Sequence, residues 1–116
     1  MKVVMPYIGG VLSINAYKVR DRHGFATNAT KRVVKLWMNE LTQKVKGFEH
    51  RGSLTISLYG KFVDDRVPDL ANLHKVIGDA VKEGLSLIDD KDFKFIDLGY
   101  ATGYPNPILE ITLISK

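Results

Sequence analysis

The chain has 116 residues, which is the length of one domain with a single core. Its composition, 45% hydrophobic and 26% charged, is typical of a globular protein, and no apolar run approaches the ~20 residues that a membrane span needs. The absence of cysteine excludes disulfides and thiolate metal sites, and it favours a cytoplasmic location.

The formal net charge is +4, but the charge is unevenly distributed along the chain. Residues 1–58 carry ten Lys or Arg and three Asp or Glu, whereas residues 59–116 carry seven and ten. A short chain can show such a difference by chance. It is also the arrangement that a nuclease needs, with a phosphate-binding surface beside an acidic pocket.

The first half of the chain predicts a strand, a polar and basic segment, and a helix. Residues 2–8 form the predicted strand, and residues 27–48 the predicted helix. Thr27 or Asn28 can cap the helix, and Gly47 can end it. Its apolar residues recur at helical spacing and form the predicted buried face: Val34, Trp37, Met38, Leu41 and Val45.

The second half predicts a strand, a helix and two further strands. Residues 53–62 alternate between apolar and polar side chains, as a half-buried strand does. A helix is predicted over about residues 70–84, with Gly84 as its stop, followed by strands near 92–100 and over 108–114. The apolar face of this helix comprises Leu70, Leu73, Ile77, Ala80 and Val81.

This order of elements predicts one domain over residues 1–116 with an α+β fold. We expect a mainly antiparallel or mixed sheet with two helices packed on one face.

Acidic residues surround the second predicted helix. Asp69 precedes it, Asp79 lies within it, and the Asp89-Asp90 pair follows it. Carboxylates are the ligands that Mg²⁺ and Mn²⁺ prefer, so these groups can form a metal site if the chain brings them together. The same residues also suit a helix cap and a surface turn, and the spacing alone does not separate these interpretations.

A polar stripe is predicted on the same helix. At 100° per residue, Asn72, Lys75 and Asp79 fall within about 60° of one another at the border of the apolar face. Lys75 and Asp79 are also spaced as an ordinary i,i+4 ion pair.

Residues 68–90, PDLANLHKVIGDAVKEGLSLIDD, resemble the signature of the RusA family of Holliday junction resolvases, which prophages often carry. The segment SINAYKVRDRHGFATNATKRVVKLW is similar to the N-terminal part of that family, so the likeness covers nearly the whole chain. Nine positions of the signature fall in register without a gap: Asp69, Asn72, Leu73, Lys75, Asp79, Ala80, Gly84, Asp89 and Asp90.

The resemblance implies a homodimeric, Mg²⁺-dependent endonuclease, with Mn²⁺ as a possible substitute. Such an enzyme resolves four-way DNA junctions by paired phosphodiester incisions in recombination and repair. The implied catalytic residues are Asp69, Lys75 and Asp90. The implied metal ligands are Asp69, Asp90 and Asp89, with Asn72 and Asp79 in supporting positions.

One position departs from the family pattern, because Ala71 stands where the family usually has an aspartate. Three outcomes remain open. Asp89, Asp79 or Asp65 supplies the missing oxygen; water fills the place, since Mg²⁺ commonly keeps several waters; or the protein binds junctions without cutting them.

The basic residues of the first half are candidate DNA contacts. Aromatic residues are interleaved among them, which suits backbone contact and base stacking, although a solvated loop would have the same composition. The candidates are Lys18, Arg20, Arg22, Lys31 and Arg32. His74 could approach a phosphate, but we expect a solvated helix residue there. A small dimeric structural protein of phage origin is the weakest of the functional alternatives.

Overall fold

The computed structural model describes residues 1–13, 28–50, 52–86 and 93–115. Four strands form one sheet in the order β1-β4-β2-β3. Strand β4 is antiparallel to both of its neighbours, whereas β2 and β3 are parallel. The strands are β1 (Lys2–Pro6), β2 (Leu54–Lys61), β3 (Phe93–Ala101) and β4 (Ile108–Ser115).

Two α-helices accompany the sheet, α1 (Asn28–Val45) and α2 (His74–Gly84). Short 3₁₀ helices cover Gly10–Leu12 and Leu70–Leu73. The apolar sides of both α-helices join the inward side chains of the strands in one core. The predicted α+β fold, a mixed sheet with two helices on one face, is therefore confirmed.

The alternation of apolar and polar residues in β2 determines which of its side chains enter this core. Leu54, Ile56 and Leu58 are fully buried, whereas Thr55 and Tyr59 are only partly buried. Ser57, which has the parity of Thr55 and Tyr59, is buried at 7% exposure. Because successive side chains of a strand point to opposite faces, every second residue of β2 meets the helices. The prediction for this strand is confirmed.

Helix α1 is fixed to the sheet and to α2 by two side-chain hydrogen bonds. The Trp37 indole Nε1–H donates to the Pro6 carbonyl at 2.7 Å. The buried Thr42 hydroxyl donates to the Ala80 carbonyl of α2 at 3.0 Å. Gly47 ends the helical segment with φ +88°, in the left-handed region that favours glycine, as predicted.

Gly84 does not act as the predicted left-handed stop. It is the last residue of α2, and the positive φ of 56° occurs two residues later, at Ser86. A Cβ on Gly84 would lie 2.7 Å from the Thr42 carbonyl oxygen and 2.5 Å from Val45 Cγ2. Glycine at this position therefore allows α1 and α2 to approach closely.

Gly84→Ala is expected to lower the free energy of unfolding by about 1–3 kcal/mol, because the added methyl group overpacks the α1–α2 contact. Gly10→Ala is the matched control, since nothing lies within 4 Å of a Cβ at that position. Urea denaturation followed by circular dichroism measures both variants. Equal urea midpoints for Gly84→Ala and wild type would contradict this account of the contact.

The segment from β2 through α2 to β3 positions Asp69, the start of α2 and the second half of β3. Because β2 and β3 are parallel, Leu58 pairs with Asp97, and Lys61 at the end of β2 pairs with Ala101 at the end of β3. The chain then leaves β2 and reaches Asp69 and the start of α2. Polar residues after β2 and in the second half of β3 consequently lie at the same end of the sheet.

Neither α-helix in the described part of the chain combines the length and the apolar character that crossing a membrane requires.

Candidate functional site

Asp69 lies on the surface immediately before the second 3₁₀ helix. Its side-chain Oδ1 accepts a hydrogen bond from the Ala71 backbone N–H at 3.1 Å, and its carbonyl accepts one from Asn72 N–H at 2.9 Å. A carboxylate in this position satisfies backbone donors that a helix start leaves without partners. Asp69 is thus held in place by the turn that follows it, while its side chain stays exposed.

The predicted stripe of Asn72, Lys75 and Asp79 is only partly correct. Asn72 belongs to the 3₁₀ helix, which has three residues per turn, so a wheel at 100° per residue misplaces it. Lys75 and Asp79 belong to α2, and their side chains form the predicted i,i+4 pair with Nζ and Oδ1 3.2 Å apart. The Lys75 side chain is 43% exposed, so its ammonium group is accessible to a ligand.

His74 makes contacts that the sequence did not predict. Its Nε2 lies 2.8 Å from Oδ1 of Asp97 in β3. Its ring stacks on Phe95 of the same strand, with centroids 4.2 Å apart and an angle of 13° between the planes. The prediction of a solvated helix residue is only partly correct: His74 is a helix residue with a side chain that is 28% exposed, but β3 holds one edge and one face of its imidazole.

Asp97, the partner of His74, was not predicted from the sequence as a site residue. The available signal was its parity in the strand, because Asp97 has the same parity as Phe93 and Phe95, although Asp97 itself is exposed. Its partner is His74, 23 residues away in sequence.

The loop after β2 contains a second, local acidic group. Asp64 accepts hydrogen bonds from the Arg66 guanidinium at 2.8 and 3.3 Å and from the Arg66 backbone N–H at 3.0 Å. The side-chain hydrogen bond from Arg66, followed by the backbone one, lowers the pKa of the Asp64 carboxyl. Asp64 is therefore engaged within the loop, while its neighbour Asp65 is exposed.

The implied ligands of a divalent cation come from the segments before and after α2 in the sequence. Asp89 and Asp90, two of the three implied ligands, lie outside the described residues. Within the described ranges, no three His, Cys, Asp or Glu side chains are grouped so that they could hold a metal ion. Asp69 fits as one ligand, because Mg²⁺ is commonly bound by one or two carboxylates with water completing its shell.

The candidate DNA contacts fall into two groups. Lys18, Arg20 and Arg22 lie outside the described residues. Lys31 and Arg32 are in the first part of α1, and both are exposed. These two side chains are free to contact a phosphate backbone, and the structure does not bring them into contact with Asp69 or Lys75.

Neither a comparison with protein-family models nor one with curated proteins finds a match for the chain. We therefore infer the function from the motif, the fold and the geometry at the start of α2.

Proposed function

We propose that the protein is an endonuclease that requires Mg²⁺ and resolves four-way DNA junctions by paired phosphodiester incisions. The observation that carries this proposal is the match of nine positions between Asp69 and Asp90, without a gap, to the signature of the RusA family. A cytoplasmic location and a role in recombination or repair of phage or host DNA go with this function.

Three features of the structure are compatible with the proposal. Asp69 is exposed and held by the backbone of the 3₁₀ helix, so a ligand can reach its carboxylate. Lys75 is on an accessible side of α2, six residues further along the chain. The basic residues Lys31 and Arg32 lie on another element, where they can contact a different part of the DNA.

In the proposed reaction, Asp69 would help to hold the metal, together with Asp90 and Asp89. A bound Mg²⁺ would supply Lewis-acid polarisation of the phosphodiester. Lys75 neutralises the negative charge that increases on the phosphate oxygens in the transition state. Asn72 and Asp79 support these groups, Asp79 through its contact with Lys75.

Two symmetric incisions require two active sites related by a two-fold axis, so we propose that the working form is a homodimer. Sedimentation equilibrium at the concentration of the cleavage assay measures the mass. A mass equal to that of a single chain in an active sample would contradict the dimer.

Incubation with an end-labelled four-way junction and Mg²⁺ tests the proposed function. Paired nicks in opposite strands support the endonuclease. A complex in a gel without nicks supports a protein of the same fold that binds junctions without cutting them. The absence of both nicks and a gel complex would contradict both functions and leave a structural role.

The second of these functions is favoured by Ala71, which cannot ligate a metal. Ala71 is exposed next to Asp69, so a longer side chain is tolerated there. If Ala71 weakens the site, Ala71→Asp is expected to increase the cleavage rate and to lower the Mg²⁺ concentration at half-maximal rate. The added negative charge also lies in the first turn of a helix, where its interaction with the helix dipole stabilises the fold by about 0.3–1 kcal/mol.

The Mg²⁺ dependence of nicking, measured for wild type and Ala71→Asp, checks this prediction. Val63→Asp places the same charge at an exposed position of the loop before Asp69, outside the signature, and serves as the matched control. No change in Ala71→Asp would show that another group already substitutes for the missing aspartate. If wild type and Ala71→Asp bind junctions but nick none with Mg²⁺ or Mn²⁺, the enzyme proposal is wrong.

A further inference from the structure

We propose that His74 donates the proton that the leaving oxygen takes up when the phosphodiester is cut, and that Asp97 is the positioning residue for His74. This inference rests on the proposed endonuclease function and assigns a role to two residues outside the implied metal and lysine set.

The imidazole of His74 is held more firmly than an ordinary surface histidine. Phe95 covers one ring face, and the Asp97 carboxylate binds one ring edge at 2.8 Å. A ring fixed on two sides has little rotational freedom to lose when a substrate binds.

The contact with Asp97 also determines which ring nitrogen can exchange a proton. A carboxylate accepts hydrogen bonds, so Nε2 carries a hydrogen and donates it to Oδ1 of Asp97. No residue in the described ranges makes a hydrogen bond with the other nitrogen, Nδ1. Nδ1 is therefore the atom through which the ring can pass a proton to a substrate.

His74 is close in sequence to the residues that are proposed to act at the reacting phosphate. His74 is the first residue of α2; it directly precedes Lys75 and follows Asp69 by five residues. The His74 side chain is 28% exposed, so it is sheltered by β3 while part of the ring faces solvent. Nδ1 is the ring nitrogen that Asp97 leaves available for proton transfer, and general acid catalysis needs this atom to come within hydrogen-bond reach of the leaving oxygen when the substrate is bound.

The proton balance of the step is complete with water as the co-reactant. The oxygen of water forms a bond to phosphorus, and the bond from phosphorus to the leaving oxygen breaks with its electron pair going to that oxygen. Nδ1–H of the His74 imidazolium gives its proton to the leaving oxygen. The attacking water loses a proton to solvent, and the ring regains one from solvent, so the enzyme returns to its initial state.

A pair of junction substrates tests this role. The scissile linkage is first mapped on an unmodified junction, and the leaving oxygen is then replaced by sulfur. Because a thiolate leaves without protonation, a missing proton donor slows cleavage of the oxygen junction only. His74→Gln is the test variant, since its amide can still donate a hydrogen bond to Asp97. Asp97→Asn tests the positioning role.

We expect His74→Gln to cut the oxygen junction ~10²-fold or more slowly than wild type, and the sulfur junction at a rate within about tenfold of wild type. Asp97→Asn is expected to show the same selectivity for sulfur with a smaller loss. An equal loss on both substrates, or no loss on the oxygen junction, would overturn the proton-donor role and leave the endonuclease proposal intact. A wild-type protein that cuts no junction would overturn both.

Nitrogen-15 NMR of labelled histidine gives a readout that does not depend on activity. The His74 signals are identified by their disappearance in His74→Gln, and the neutral ring is expected to carry its hydrogen on Nε2. A hydrogen on Nδ1 instead would contradict the proposed geometry.

Discussion

Asp69→Asn is expected to reduce cleavage of a four-way junction by roughly 10³-fold, since a catalytic metal contributes several kcal/mol of transition-state stabilisation. Junction binding should stay equal or become tighter, because removing a carboxylate from a phosphate-facing surface relieves repulsion. The fold should be unaffected, since the asparagine oxygen can still accept the hydrogen bond from Ala71 N–H.

Asp64→Asn is the matched control for this change. It removes the same charge from the same loop, but the Asp64 carboxylate is engaged with Arg66. Single-turnover cleavage and junction affinity are measured for both variants, and Asp90→Asn should behave like Asp69→Asn. Wild-type cleavage by Asp69→Asn would remove Asp69 from the proposed site.

Lys75→Ala is expected to lower the cleavage rate by about 10²–10³-fold, the usual effect of losing one preorganised transition-state donor. Its effect on stability should be small, because an exposed i,i+4 ion pair such as that with Asp79 contributes only ~0.3–0.5 kcal/mol.

Lys82→Ala is the control for Lys75→Ala. Lys82 is on the same helix, two turns or about 10 Å further along. It should cut junctions at the wild-type rate if the effect of Lys75 is local. Equal losses in both variants would indicate that α2 contributes a general positive charge rather than a specific catalytic cation.

The fold could be predicted largely because side-chain period and turn residues are local signals. Alternation identified β2, and helical spacing identified the buried face of α1, where Gly47 also ends the helix as predicted. Strand pairing was harder to predict from the sequence, because the parallel pairing of β2 and β3 depends on a connection through α2. The role of Gly84 depends on α1, which is distant in sequence, so its local pattern indicated only a helix stop.

The candidate site could be predicted only where its residues are close in sequence. Asp69 as a helix-start residue and the Lys75–Asp79 pair follow from spacing, and both are present. The pairing of His74 with Asp97 could not be predicted, because it joins a helix to an edge strand through the sheet register. The first turn before α2 was also missed, since propensities do not separate a 3₁₀ turn from the start of an α-helix.

The proposed function also has a specific dependence on Ala71. The proposed site of Asp69, Asp89 and Asp90 would have enough carboxylates for a Mg²⁺ ion with several bound waters. With one carboxylate fewer than the family pattern, the site is expected to bind Mg²⁺ more weakly and to need a higher Mg²⁺ concentration for half-maximal cleavage. Comparison of the Mg²⁺ dependence of Ala71→Asp with that of wild type measures how much the alanine weakens metal binding.

The most direct test is strand-by-strand mapping of nicks on a four-way junction and on linear duplexes that carry the same four arm sequences, with the same Mg²⁺ concentration. The account predicts symmetric nicks at matching positions in two opposite strands of the junction, no cleavage of the duplexes, and loss of the nicks in Asp69→Asn. Absence of nicks in the junction, or equal cleavage of junction and duplexes, would contradict a junction-resolving endonuclease.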